Sequence, residues 1–244
     1  MKPIPQSNSG EYRCCMNLDL YDSPNCDVLA TQAAIGRHLR ILSTCGERSR
    51  TACSERSRTA TKQDEAILVC SCEDNYEAWL PVDKIAALEP AEEVYRAIAV
   101  SRSQIEQHLP QIIAFALQAE KQPNYYLWGG NIGPNYDCSG LIQAAFAHYG
   151  IWLPRDSYQQ EGFTHTIAVE ELLPGDLIFF GTKERVNHVA LHLGDLYYIH
   201  SSSPTKGRNG IGRDRLDPEY HEVSKSYYQT LWGCGRIMSN YIPK

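Results

Sequence analysis

YYLWGGNIGPNYDCSGLIQAAFAHYG, residues 125–150, joins a glycine-rich loop to an apolar run, with one cysteine at the seam. A structural cysteine usually keeps apolar company. Cys138 instead follows Gly129, Gly130, Gly133 and Pro134, and Asp137 and Ser139 flank it. After it, Leu141, Ile142, Ala145, Phe146 and Tyr149 share one helical face, and Gly150 is placed to end that helix. A helix opening near residue 138 carries Cys138 in its first turn. Unpaired N–H groups and the positive end of the helix dipole favour a thiolate there. The glycines permit positive φ or close backbone approach to a ligand.

A nucleophile needs a base, and a base needs an orienting partner. Downstream, ELLPGDLIFFG reads as a turn leading into an apolar strand. NHVALHLGD and LYYIHSS read as a hairpin turning at Gly194-Asp195. Along the first strand His188, Ala190 and His192 point to one face; along the second, Tyr198, His200 and Ser202 do. A short turn sets His188 opposite His200 or within one residue of it, with directly opposed Cβ atoms ~5 Å apart. The spacing predicts an imidazole pair presented to the helix-borne cysteine. His192 shares the face of His188 and is its internal rival. His38, His108, His148, His165 and His221 have no such context.

Upstream, SRSQIEQHLPQIIAFALQAEKQ repeats Ile105, Leu109, Ile112, Ile113, Ala116 and Leu117 near a 3.6-residue period and reads as a scaffold helix. Ser101 or Ser103 caps its opening turn, with Glu106 completing a capping box on Ser103. Pro110 marks a start or kink. Helices followed by a meander of strands make this half α+β. Residues 11–90 read differently. EYRCCMNLDLYD, AAIGRHLRIL, EAILVCSC and EAWLPVDKI are short strand-like pieces between polar turns, as in a small β-barrel or sandwich, with PVDKI a last strand or turn. Within this region GERSRTAC (46–53) is followed by SERSRTAT (54–61), a tandem duplication enlarging one exposed loop. Two domains are expected, 1–92 and 93–244.

The 244 residues are 43% hydrophobic, enough to bury a core, and carry a net charge of −6. That charge argues against nucleic-acid or anionic-membrane partners. No apolar run approaches a membrane span, and MKPIPQSNSGEYRCC lacks the apolar segment of a secretory signal, so a cytosolic protein is expected. The nine cysteines, 14, 15, 26, 45, 53, 70, 72, 138 and 234, are odd in number and contain no CxxC. Neither a disulfide framework nor a metal site is expected, and all but Cys138 read as reduced packing residues.

YYLWGGNIGPNYDCSGLIQAAF, LPRDSYQQ, LLPGDLIFF, NHVALHLGD and YIHSS, in this order, resemble an NlpC/P60 cysteine peptidase domain over about residues 105–240. The upstream region resembles a bacterial SH3-like domain. The pairing is similar to that of cyanobacterial-type γ-D-glutamyl-L-diamino acid endopeptidases. The resemblance implies a papain-like α+β domain, helices packed on an antiparallel sheet, after an SH3-like β-barrel. It implies Cys138 as nucleophile, His188 as general base and acid, and His200 as orienter, the roles that spacing also suggests. Asp137 would receive the free α-amino group of an N-terminal L-Ala, although its charge opposes a thiolate and helix capping is its structural alternative. Tyr126, Trp128, Ser139 and Ser157 match other pocket positions, Trp128 being equally readable as core. In CEDNYEAW, Asp74 and Tyr76 sit on a loop that would wall the cleft. Arg155 suits a substrate carboxylate but is expected in an ordinary surface or interdomain salt bridge.

The implied reaction is hydrolysis of the γ-D-glutamyl to meso-diaminopimelate bond in a murein tripeptide or tetrapeptide, in wall-peptide recycling, with no metal or organic cofactor. The oligomeric state and the diamino acid stay open. Two readings compete with it. A catalytically idle wall-fragment binder would have no need of the intact Cys138, His188 and His200 set. A thioester-forming acyltransferase would show an apolar acyl groove in place of an amine site.

Overall fold

The structure is a computed structural model and describes residues 7–43 and 66–243. The duplicated segment 46–61 lies outside the described residues. The chain divides into two compact units, residues 1–96 and 97–242, with the last two residues grouped with the first.

The first unit is a seven-stranded antiparallel sheet. Its strands are β1 (Glu11–Cys14), β2 (Leu18–Tyr21), β3 (Leu29–Ala33), β4 (His38–Ser43), β5 (Ala66–Ser71), β6 (Glu77–Pro81) and β7 (Leu88–Pro90), in the order β3-β2-β6-β5-β4-β1-β7. Alternation along the strands sends Tyr12, Cys14, Leu18, Leu20, Leu39, Ile67, Val69 and Leu80 into one core. PVDKI is neither strand nor simple turn: Val82–Ala87 is a 3-10 helix that buries Ile85. The cysteines divide by position. Cys14, Cys70 and Cys72 are buried, whereas Cys15 is exposed and Cys26 half-buried, so these two are not packing residues.

The second unit opens with α1 (Arg102–Glu120). Ser101, not Ser103, is its cap. Its hydroxyl accepts the Gln104 N–H and the Gln104 side chain accepts the Ser101 N–H, so the capping partner is Gln104 and not Glu106. Pro110 lies inside the helix. A two-stranded ribbon follows, β8 (Asn131–Ile132) with β9 (Asn135–Tyr136), and then α2 (Cys138–Ala147) and α3 (Ser157–Phe163). The main sheet has six antiparallel strands: β10 (His165–Ile167), β11 (Leu177–Gly181), β12 (Val186–Gly194), β13 (Tyr197–Ser202), β14 (Gly210–Arg215) and β15 (Leu231–Arg236). Their order is β10-β15-β11-β12-β13-β14, and α4 (Glu222–Tyr228) comes between the last two in sequence.

Both faces of this sheet are covered, which is why LIFFG is buried at every position. Leu177, Phe179, Val189, Leu191 and Ile199 pack with α1 and α2 through Ile105, Ile112, Leu141 and Phe146. Ile178, Phe180, Ala190 and Tyr198 pack on the other side with Leu216, Tyr227 and Cys234. The β12–β13 turn is one residue later than expected. Gly194 pairs with Tyr197, and the two residues between them, Asp195 and Leu196, both have positive φ, the two-residue arrangement that follows strand twist.

Candidate active site

The loop before α2 is folded around a carboxylate. Asp137 is the N-cap of α2, in extended conformation at φ −85° and ψ −178°. Its Oδ1 accepts the Gly140 N–H at 2.6 Å and its Oδ2 accepts the Gly129 N–H at 2.9 Å. The Asp137 N–H donates to the Gly130 carbonyl at 2.9 Å, closing the loop on itself. The glycines therefore serve backbone-to-backbone approach. Gly129 has φ +76°, and a Cβ at Gly140 would collide with the Gly130 carbonyl and with Asp137 Oδ1.

Arg155 completes this cluster. It is 1% exposed and pairs with Asp137 through both nitrogens, at 3.1 and 2.7 Å, and it also donates to Ser139 Oγ at 3.1 Å. It is thus no surface or interdomain salt bridge. A buried guanidinium in fork geometry neutralises the one carboxylate beside Cys138. Ser139 Oγ donates to Asp137 Oδ1 at 3.3 Å. Gln160 of α3 donates to the Ser139 carbonyl, tying α3 to the start of α2.

Cys138 is the first residue of α2 and is buried. Backbone amides of Val189 and Ser139 hydrogen-bond its sulfur, and Arg155 adds positive charge. Burial and the Asp137 carboxylate oppose them and prevail, pushing the thiol up to about 12. The helix start therefore does not yield a resting thiolate, because desolvation of the charged sulfur exceeds the gain from two amide dipoles. The Val189 contact fixes the sulfur against β12 next to His188.

His188 and His200 meet, but not directly across the hairpin. Leu191 pairs with Ile199 and His192 with Tyr198, so the two imidazoles are diagonal neighbours on one face. Ring length spans the wider separation: His188 Nε2 lies 2.7 Å from His200 Nδ1. His192, the rival, faces Tyr198 and is buried with neither ring nitrogen hydrogen-bonded among the described residues. Burial holds both paired imidazoles below the usual histidine range, and most strongly His188, which also feels His200 and Lys206. Both rest neutral at pH 7. Tyr227 of α4 lies along His188, ring centroids 4.5 Å apart, and its hydroxyl bonds Ser202 Oγ at 2.7 Å.

The chain of contacts continues to residues that sequence spacing did not single out. His200 Nε2 lies 2.7 Å from Asp214 Oδ2. Arg208 donates to both Asp214 oxygens at 2.8 and 2.9 Å, and His221 Nε2 lies 2.7 Å from Oδ1. Asp214 is on β14, across from Tyr198, and Gly212 is across from His200. Alternation along GIGRDR puts Gly212 and Asp214 on the histidine face, a signal present in the sequence once the strand is recognised. A Cβ at Gly212 would strike the Arg208 guanidinium, so the glycine makes room for it.

The other sequence candidates are dispersed. Tyr126 is half-buried, its phenol pushed above its usual range by burial and by Cys138 and Asp137. Ser157 is the buried first residue of α3. Trp128 is 66% exposed and so is not a core aromatic. In the first unit Asp74 is buried, 3.1 Å from Arg37, and its Oδ1 accepts the Tyr76 N–H in the β5–β6 turn. Among the described residues no group of three His, Cys, Asp or Glu side chains could hold a metal ion. No described helix is long and apolar enough to cross a membrane.

A thiol at a helix start, fixed against one strand of a hairpin that carries an imidazole pair, on helices packed over an antiparallel sheet, defines a papain-like cysteine peptidase domain. Residues 123–236 match the NlpC/P60 family, and residues 20–85 match the bacterial dipeptidyl-peptidase SH3 domain. The chain thus carries an NlpC/P60 domain with that SH3 domain ahead of it in sequence. It is 44% identical over 127 residues to the bifunctional muramidase/DL-endopeptidase CwlT of Bacillus subtilis, covering 50% of this chain and 34% of that one. It is 42% identical over 79 residues to a γ-D-glutamyl-L-lysine dipeptidyl-peptidase of Bacillus cereus, covering 31% of this chain and 24% of that one. The chain spans about a third or less of the length of these two relatives. Among solved structures it is similar to an NlpC/P60 family protein of Bacillus cereus, at 21% identity and a TM-score of 0.45, covering 95% of this chain and 65% of that one.

Proposed function

We propose that this protein hydrolyses the bond between γ-D-glutamate and a diamino acid, meso-diaminopimelate in the first instance, in murein tripeptides or tetrapeptides with a free N-terminal L-Ala. The observation that carries the reading is the hydrogen-bonded His188–His200 pair together with the helix-start thiol of Cys138, whose sulfur is bound by the backbone amide of Val189, the residue after His188. The dipeptidyl-peptidase names of relatives and the matched SH3 domain favour this bond over other amides.

His188 uses Nε2 on His200, so Nδ1 is its reacting atom. It takes the Cys138 proton as the sulfur attacks the amide carbonyl, and returns it to the leaving amine as the C–N bond breaks. Water then attacks the thioester with His188 again as base, releasing the acid and the thiol. The Ser139 and Gly140 N–H groups are taken by the sulfur and by Asp137, which leaves the Cys138 N–H for the oxyanion. Asp137 supplies the carboxylate for the substrate ammonium. Its 3.3 Å bond from Ser139 is the longest of its set and the one an incoming amine would replace. Tyr126, Trp128 and Ser157 line the same subsite in this reading. Cys14, Cys15, Cys70, Cys72, Cys138 and Cys234 form no disulfide among the described residues, which suits a reducing compartment, and in this reading the enzyme acts in cytoplasmic recycling of wall peptides.

Mass spectrometry of L-Ala-γ-D-Glu-meso-diaminopimelate, its L-lysine analogue and the N-acetylated tripeptide tests the reading. Release of L-Ala-D-Glu from the free peptide alone is expected. Cleavage of the acetylated form would remove the amine-reading role, and no cleavage of any form would remove the peptidase assignment.

A further inference from the structure

The four contacts of Asp214 determine where protons sit two residues away. His221 Nδ1 accepts the Ser224 N–H at 3.3 Å, so its Nε2 carries hydrogen and donates to Asp214 Oδ1. Arg208 donates to both oxygens. Every group facing the carboxylate is thus a donor, and His200 Nε2, facing Oδ2, must be one as well. His200 then has its lone pair at Nδ1, where it can only accept from His188 Nε2–H. His188 is left with a bare Nδ1. Asp214 is fully buried, so water cannot take over its role, and its charge is held below the usual carboxylate range by His200 and Arg208.

We propose that Asp214, held by Arg208 and His221, is a positioning residue that fixes the tautomers of His200 and His188 and so leaves Nδ1 of His188 as the base. The inference rests on the peptidase reading for its kinetic consequence, though not for its proton positions. Replacing the carboxylate by its amide reverses the chain. Arg208 faces both oxygens, but His221 is locked as a donor by the Ser224 N–H on its Nδ1 whereas His200 can exchange tautomer with His188, so in Asp214→Asn the amide oxygen belongs at the Oδ1 position and the NH2 faces His200. His200 Nε2 becomes an acceptor, Nδ1–H donates to His188 Nε2, and the proton of His188 moves to Nδ1.

The test is nitrogen NMR of the full chain with 15N-labelled histidine, together with kinetics on L-Ala-γ-D-Glu-meso-diaminopimelate. The wild type should show His188 protonated at Nε2, and Asp214→Asn should show it protonated at Nδ1. The kcat should fall about 10²-fold with little change in KM, less than the roughly 10⁴-fold seen where the carboxylate touches the base directly. A wild-type His188 carrying its proton on Nδ1 overturns the proposal, and that measurement requires no variant to fold. So does an Asp214→Asn enzyme with unchanged tautomer and kcat. Failure of the peptidase reading is registered separately, by full turnover in Cys138→Ala or by none in the wild type.

Discussion

Arg155 and Asp137, 18 residues apart, form a buried bidentate ion pair directly beside the Cys138 thiol. The pair lets a carboxylate cap α2 and gather the glycine loop without leaving an uncompensated charge next to the thiol. Removing one partner of such a pair costs about 3–5 kcal/mol, because the other charge stays buried alone. Arg155→Ala is expected to lose stability in that range by urea unfolding. Arg155→Lys should recover only part, since an ammonium cannot span both oxygens. Equal midpoints for wild type and Arg155→Ala would remove the pair from the stability argument.

Cys138→Ala is expected to abolish release of L-Ala-D-Glu, by about 10⁴-fold or more, since no other group in the site can form the acyl intermediate. The substitution removes only a sulfur from a packed position, so the thermal midpoint should move little. Retention of even one tenth of the activity would transfer the nucleophilic role elsewhere.

Gly140→Ala probes the loop and not the chemistry. Its methyl group would meet the Gly130 carbonyl, Asp137 Oδ1 and Asn131 Cβ, with backbone on the nearest side. A cost of about 1–3 kcal/mol is expected, along with loss of activity as the cap is pushed off Cys138. An active, equally stable Gly140→Ala protein would show that the loop can yield without moving the thiol.

The charge state of the site sets its pH behaviour. With the Cys138 thiol pushed up to about 12 and His188 held below 6.5, the resting pair is neutral, so no thiolate–imidazolium pair forms in the free enzyme. Iodoacetamide labelling of Cys138, followed by peptide mass spectrometry, should accelerate steadily from pH 6 to 9. An acidic plateau in that range would identify an ion pair instead. The kcat/KM on the free tripeptide should fall on the acid side only below pH 6.5, as His188 protonates. On the alkaline side it should fall near ~8, as the substrate ammonium is lost.

Stability should depend on pH through the same buried groups. His188 and His200 have folded pKa values below 6.5, so the unfolded chain binds more protons below that pH. Their neutral burial costs nothing extra above 6.5, and stability declines as pH falls beneath it. Asp214, also lowered, adds stability above its unfolded value near ~3.9, and this is lost at still lower pH. Urea midpoints should therefore drop between pH 7.5 and 5. Identical midpoints at those two values would show that neither imidazole is buried neutral.

Much of the site was legible because it is built from local patterns. The 3.6-residue period after Cys138 and the two-residue period of the β12–β13 strands need only near neighbours, so a helix-start cysteine and two histidines on one sheet face followed directly. The errors were also local in origin. Ser101 and Ser103 are chemically equal as caps until a helix axis exists, and the His188–His200 register slipped because turn length alone does not locate the paired residues. Arg155 gave no sign of burial, since an arginine in a proline-bounded loop reads as surface until the carboxylate that needs it is found.

The amino-acid sequence by itself determined the kinds of elements, the place of the thiol and the two domain types that the chain matches, since each depends on residue order over a few turns. The tertiary structure alone decided that the thiol is neutral, that Arg155 is its neighbour's counter-ion, and that Asp214, Arg208 and His221 stand behind the imidazoles. Desolvation and diagonal contacts between strands depend on what packs from far along the chain, and no short-range pattern carries them.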